Sequence, residues 1–372
     1  MQVQYIGALF DASGYAEAAR NYVHALDSVG IDVKIIPISF EKNHPKLGIQ
    51  HSKLESFVTK SINPTVQIIH LTPENFPRFI NKHKYTIGYT TWETSRLPAH
   101  WVSLINQVDE VWVPCSHNKD IFEQSGVTKP IFVIPHCFQE SPEIESLTFE
   151  KVPNEFTFYS IFQWTERKNA LGLLKAYLTE FSSLENTNLI LKTYFMSPGD
   201  ATEKEQLKEV INSFKKRLYL QDYPKVTLIT DLLSKGQIND LHSNVGDCFV
   251  SLHRAEGFGI PIAEAMMAGK PIISTGYGGP IDFVQHQSTG YIVPYSMTPC
   301  HGMPWPTYHG HMNWAEPDIA SAKQFMREIF SNKEKAKQMG QKAKESISQH
   351  LNLITIGTLM KERLEEIISK EK

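Results

Sequence analysis

Two glutamates bracket the segment of this 372-residue chain that carries the most chemistry, Glu256-Gly-Phe-Gly-Ile-Pro-Ile-Ala-Glu264. The residues up to Leu252 read as a strand, a loop with two glycines follows, and Pro261 marks the first turn of a helix, where a missing N–H is tolerated. Loop amides and a helix N-terminus together make a cradle for an anion. A carboxylate beside such a cradle is unfavourable unless it meets a neutral, hydroxyl-rich group, and sugar or ribose hydroxyls fit that description. Upstream, Phe162-Gln-Trp-Thr-Glu-Arg-Lys168-Asn brings two cations, Arg167 and Lys168, to a loop. Arg254 adds a third cation near Glu256, with ordinary pairing to a neighbouring carboxylate as the competing account. In the amino-terminal half, Gly14 lies in the turn Asp11-Ala-Ser-Gly14, and Glu93 closes the run Tyr89-Thr-Thr-Trp-Glu93. A tight turn and an exposed acid are the plain alternatives there.

Short apolar runs alternate with helix-period segments, and this alternation is what must position those loops. Gln2 to Leu9 reads as a strand, and Ala16, Ala19, Val23 and Leu26 recur at helical spacing. Val66 to Leu71, Tyr85 to Thr90, Glu110 to Pro114 and Pro130 to Pro135 are further strands. Such alternation predicts parallel pairing and a doubly wound sheet. Residues 139–154 break the rhythm with two prolines and a cluster of acids, and read as a linker. Beyond them the alternation restarts with Phe156 to Phe162, Leu189 to Tyr194, Val226 to Thr230, Asp247 to Leu252 and Pro271 to Ser274. Two α/β domains of similar size are expected, 1–150 and 151–351. A ligand cleft is then expected between them, since open α/β sheets bind at the carboxyl ends of their strands.

Composition excludes other classes. With 37 basic and 40 acidic residues the formal net charge is −3, so no global field attracts nucleic acid. Four scattered cysteines, Cys115, Cys137, Cys248 and Cys300, lack the spacing of a disulfide framework or a Cys-rich zinc site. The segment Cys300-His-Gly-Met-Pro-Trp-Pro-Thr-Tyr-His-Gly-His311 matches no familiar zinc pattern and reads as an ordered Pro-rich loop. The amino terminus lacks the basic and apolar regions of a signal peptide, and no apolar run is long enough to span a bilayer. A cytoplasmic location is expected. The alternative is a peripheral position at the inner face of the membrane, on the basic segment Lys333 to Lys344.

The segment Glu256 to Glu264 resembles the Glu-x7-Glu motif of retaining GT-B glycosyltransferases, the large group 1 family that includes bacterial mannosyl- and glucosyltransferases and sucrose synthase. Gly269-Lys-Pro-Ile-Ile-Ser274, Gly276-Tyr-Gly-Gly-Pro-Ile-Asp282 and Gly290-Tyr-Ile-Val-Pro294 resemble the segments that follow it in that family. The resemblance covers residues 156–295, and the amino-terminal half only through its Gly14 loop and Val133-Ile-Pro-His136.

The resemblance implies the GT-B fold, two Rossmann-like doubly wound domains facing a central cleft, with a carboxyl-terminal helix of about 352–372 packing back on the first. It implies transfer of a hexose from a UDP- or GDP-sugar to a hydroxyl of a glycan, lipid-linked or protein-linked acceptor. Neither metal nor cofactor is expected, and the chain has no Asp-x-Asp metal signature. Glu256 would meet donor sugar hydroxyls and Glu264 the ribose. Gly257, Phe258, Gly259, Ile260, Gly278 and Gly279 would line the sugar and phosphates, with Gly14 facing them. Lys168 matches the family's phosphate-binding lysine, whereas Gln163 stands where an arginine is usual, so Arg167 or Arg254 is the candidate replacement. The amino-terminal histidine of the family is absent; Glu93 or Thr91 stands in its place, with acceptor contacts expected there and around Ser116–His117. The competing reading is a catalytically inactive homologue that serves as a binding or scaffold subunit.

Overall fold

The computed structural model describes residues 1–11, 13–40, 49–139, 143–148 and 151–370. Ala12 of the first turn, residues 140–142 and 149–150 of the expected linker, and the last two residues of the terminal helix lie outside them. The chain divides into two compact units, Met1–Gln139 with Ser348–Lys372, and Glu140–Ile347. The sequence suggested divisions at 150 and 351. Tertiary bonds account for part of the difference: the Leu147 N–H donates to Asp240 Oδ2 at 3.0 Å, tying this stretch to the second unit.

The first unit holds strands β1 (Gln2–Gly7), β2 (Asp32–Pro37), β3 (Val66–His70), β4 (Tyr85–Tyr89), β5 (Glu110–Val113) and β6 (Ile131–Val133). They form one parallel sheet in the order β2-β1-β3-β4-β5-β6. Every residue of β3 and β5 is buried, as expected for parallel strands covered on both faces. The carboxyl-terminal helix Leu353–Lys370 belongs to this unit. Its Arg363 donates to the fully buried Glu110 at 2.5 and 3.1 Å and lies 3.8 Å over the Phe132 ring. A buried carboxylate needs such a partner, so this pair fixes the helix on the sheet.

The second unit holds β7 (Phe156–Gln163), β8 (Thr187–Tyr194), β9 (Lys225–Ile229), β10 (Cys248–Ser251), β11 (Ile272–Thr275) and β12 (Gly290–Val293). Its sheet is again parallel, in the order β12-β11-β10-β7-β8-β9. Phe158, Leu189 and Leu191 on one face pack with Leu173, Leu174 and Tyr177 of helix Ala170–Glu180 and with Met326 and Ile329 of helix Ile319–Ser331. An antiparallel hairpin, β13 (Tyr295–Pro299) and β14 (Asn313–Pro317), follows β12.

Both sheets have a point where the order of strands reverses. In the first it lies between β1 and β3; in the second it lies between β7 and β10. The loops leaving the carboxyl ends at such a point diverge and leave a crevice, which is where open α/β sheets take their ligands.

Candidate functional site

In the second unit the two loops at the switch point carry the residues singled out by type and spacing. After β7 comes a one-turn 3-10 helix, Glu166–Lys168, ended by Asn169 in the left-handed conformation at φ 54°. The Asn169 side chain does two things. It accepts from the Gly172 N–H at 3.2 Å, starting helix Ala170–Glu180, and donates to the Leu252 carbonyl at 2.9 Å. That second bond ties the loop after β7 to the loop after β10. Lys168 and Glu256 meet there in a direct ion pair, both largely buried. Arg167 lies 4.0 Å from the same carboxylate and donates to the Ala255 carbonyl at 2.9 Å. Burial by itself would raise the Glu256 carboxyl, but the adjacent Lys168 and Arg167 charges outweigh it and bring it down to about 2. The site therefore holds a permanent carboxylate beside two cations. A small cavity is lined by Lys168 and Glu256 together with Ile161, Ser251, Pro261 and Ile262.

The glycine loop closes the other side. Gly259, at φ 101°, caps helix Ile260–Met267, with Pro261 in its first turn. The Gly279 N–H donates to the Glu256 carbonyl at 3.0 Å, and a Cβ on Gly278 would collide with that carbonyl. Gly278 also has φ 88°, so a side chain is excluded on two counts. Phe258 is buried against Phe283, ring centroids 5.0 Å apart, and the backbone of Gly257 and Phe258 packs closely against Gly279. Glu264, one turn into the helix, pairs with Lys235 at 2.5 Å, with His242 Nε2 at 3.9 Å.

The remaining candidates separate. Arg254 is engaged elsewhere: it donates to Glu316 at 2.6 Å and to the Glu166 carboxylate at 2.8 Å, the carboxylate pairing weighed against a chemical role. Gln163 donates to the Phe195 carbonyl at 2.7 Å and places no charge in the site. Gly14 and Glu93 lie in the first unit. Gly14 opens helix Gly14–Ser28 behind the N-cap Ser13, and Glu93 is half-buried in the loop after β4. The neighbouring Tyr15 hydroxyl bonds Thr90 at 2.9 Å and accepts the Thr91 N–H at 3.2 Å, joining the first turn of that helix to the loop after β4.

Several residues of these edges escaped the sequence reading. His253, fully buried, bonds Ser251 through Nδ1 and the Tyr277 carbonyl through Nε2, each at 2.9 Å, and ties the loop after β10 to the loop after β11. Desolvation, partly offset by Glu256, brings its pKa down to about 4. Lys192 is a buried cation on β8 whose amine desolvation lowers to about 8, against the opposing charge of Asp231. Its signal was present: a lysine interrupts the apolar run Leu189-Ile-Leu-Lys192. In the first unit, Tyr22 OH meets Tyr89 OH at 2.6 Å and His136 Nδ1 at 2.9 Å, while Tyr5 OH meets His70 Nδ1 at 2.7 Å. No short motif announces that group. Among the described residues no three His, Cys, Asp or Glu side chains cluster to hold a metal, those of Cys300 to His311 included, and no helix is long and apolar enough to cross a membrane.

Comparison with known proteins follows the same division. Residues 149–298 match the family model of glycosyl transferases group 1, so the resemblance read from the motifs holds over that part of the second unit. Sucrose synthase 2 of Pisum sativum is 26% identical over 161 residues, 42% of this chain and 20% of the relative. A sucrose synthase of Thermosynechococcus vestitus is 25% identical over 146 residues, 38% of this chain and 18% of the relative. The chain thus spans about a fifth of the length of these relatives. Among solved structures, sucrose-phosphate synthase from Thermosynechococcus elongatus superposes with TM-score 0.71 at 13% identity, covering 100% of both chains. HepE of Anabaena, solved in complex with UDP and glucose, superposes with TM-score 0.67 at 15% identity, covering 98% of this chain and 100% of its own. These likenesses show that the chain has the GT-B fold.

Proposed function

We propose that this chain is a glycosyltransferase that moves a hexose, with retention of anomeric configuration, from a nucleotide-diphosphate sugar to an acceptor hydroxyl. The observation that carries this reading is the pairing of Lys168 and Arg167 with Glu256 at the switch point of the second sheet, beside the amides of Gly257–Gly259. Charge develops on the leaving nucleoside diphosphate as the bond to the sugar breaks. Fixed cations and a helix N-terminus already aimed at that position stabilise it without reorganising, and one such donor is worth roughly 3–4 kcal/mol. Lys168 and Arg167 take that part, with no metal needed in the step as drawn. Arg167 supplies the charge that Gln163 lacks.

Glu256 stays ionised at any working pH, because its carboxyl is held near 2. In this reading it accepts hydrogen bonds from sugar hydroxyls, and donor binding loosens its bond to Lys168 so that the lysine turns toward phosphate. Glu264 exchanges Lys235 for the ribose hydroxyls. UDP is the first base to test, since HepE was solved with UDP and glucose; GDP is the second. The acceptor hydroxyl belongs to a glycan, a lipid-linked or a protein-linked acceptor, and we assign its contacts to the loop Thr90–Glu93 and to Ser116–His117 in the first unit. The competing reading, an inactive binding subunit, draws on Gln163, whose neutral amide is bonded to a backbone carbonyl.

Nucleotide release from UDP-, GDP- and ADP-glucose without acceptor, wild type beside Lys168→Ala, tests the reading. Slow hydrolysis of one donor, abolished by the substitution, supports it. Nucleotide binding equal in both proteins and no hydrolysis of any donor would favour the binding subunit.

A further inference from the structure

Arg254 joins several elements near the Lys168–Glu256 pair. Its backbone N–H donates to the Arg167 carbonyl and its own carbonyl accepts the Ala315 N–H, each at 2.8 Å. Its Nη1 donates to both the carbonyl and the carboxylate of Glu166 at 2.8 Å, and its Nε donates to Glu316 Oε2 at 2.6 Å. The guanidinium lies 5.6 Å from the ring of buried Trp314. Glu166 belongs to the same turn as Arg167 and Lys168, whereas Glu316 and Trp314 belong to β14. A second contact repeats the connection: Gly302, between β13 and β14, lies against Glu166 so closely that a Cβ would come within 2.6 Å of its Cγ. The family match ends at residue 298, so β14 and the loop that leads to it lie beyond it.

We propose that Arg254 and Glu316 are positioning residues, through which the β13–β14 hairpin braces the turn that carries Arg167 and Lys168. A lysine is a point charge on a flexible stem, so where it can act is set by the backbone beneath it. That backbone is a three-residue turn whose own bonds include Lys168 N–H to Thr165 O at 3.0 Å and Asn169 N–H to Glu166 O at 3.2 Å. A planar guanidinium bonded to carboxylates on two elements fixes one against the other, which a lysine at the same place cannot do. The brace rests on the donor-site reading for its purpose. Its geometry does not.

The variants are Glu316→Gln, Arg254→Lys, their double combination and Gly302→Ala. Amide hydrogen exchange at residues 165–169 reads the brace without substrate, and each variant is expected to raise it there about tenfold. Donor hydrolysis is expected to fall about tenfold or more in kcat/KM, since a misplacement of about 1 Å can reach a hundredfold. The double variant is expected to lose little beyond Arg254→Lys, because both break one connection. Unchanged exchange at 165–169 in Glu316→Gln and Gly302→Ala overturns the brace. Unchanged exchange with a loss confined to Arg254→Lys would place Arg254 on the leaving group instead. Raised exchange, together with UDP binding indifferent to Lys168→Ala, sustains the brace and removes the donor-site reading.

Discussion

The two units share a sheet plan and differ in what they put at its switch point. In the second unit the carboxyl edge between β7 and β10 carries opposite charges in contact, with the Glu256 carboxyl held down at about 2 by neighbouring cations. In the first unit the corresponding region gathers Tyr5, Tyr22, Tyr89, His70 and His136 in a buried hydrogen-bonded group. Desolvation pushes the tyrosines well up and His70 well down. The first unit has a buried ion pair too, but Glu110 stands at the amino end of β5, where Arg363 uses it to hold the terminal helix. In the proposed reading, charge at the carboxyl edge serves a charged ligand, whereas charge at the opposite edge holds a helix in place. A neutral network of hydroxyls and imidazoles suits a rigid frame, since every member finds its partner inside the protein.

The sharpest way to break this contrast is to remove charge from each side. Arg363→Met leaves Glu110 buried and unpaired, and should destabilise the first unit by about 3–5 kcal/mol, read by chemical denaturation, with nucleotide binding intact in the protein that remains folded. Lys168→Ala should cost stability as well, about 1.4 kcal/mol for each unit by which the Glu256 carboxyl rises, and should lower kcat/KM for donor about 10²–10³-fold. The same substitution should move the Glu256 carboxyl upward from about 2, because burial then meets less opposition; a carboxyl titration followed by NMR would show it. A Glu256 that stays near 2 would mean that the remaining neighbours, Arg167 and His253, set its charge.

Smaller effects test the neutral side. Tyr22→Phe removes the hydroxyl that donates to the Ile134 carbonyl at 2.8 Å and meets Tyr89 and His136. It should lower stability by about 1–3 kcal/mol with little change in donor affinity. Acid should weaken both units. Folded-state pKa values are depressed for His70 and, to about 3 and about 4, for His242 and His253. The unfolded chain therefore takes up protons first, as pH falls below the ordinary histidine value. Stability is full above about pH 6.5 and should fall below it by at most about 1.4 kcal/mol per pH unit for each such histidine. Glu256 acts in the same sense but in a lower window, below the ordinary carboxylate value. Its contribution is full above the ordinary carboxylate value and is lost progressively as pH falls from there to about 2. Thermal unfolding at pH 7 and pH 5 checks the slope; a flat profile would show these histidines protonated in the folded chain.

What the sequence determined by itself is whatever a short window contains. Strand–helix alternation, the glycine loop before Pro261, and the run ending in Lys168 are each contiguous, so hydrophobic period and turn residues suffice to find them. The order of those pieces also carried the GT-B fold. The parallel order of each sheet then decided which windows meet. Lys168 and Glu256 are 88 residues apart in sequence and become partners only because β7 and β10 are neighbours. The assignment of Arg254 turned on Glu166 and Glu316, from a loop and a hairpin that no local pattern connects to it. The aromatic and imidazole group of the first unit draws on positions 5, 22, 70, 89 and 136, each unremarked in its own window. Local periodicity reports which face of an element is apolar. Only the closing of loops into a sheet decides which polar groups are desolvated together, and it is desolvation beside a partner that sets their charge.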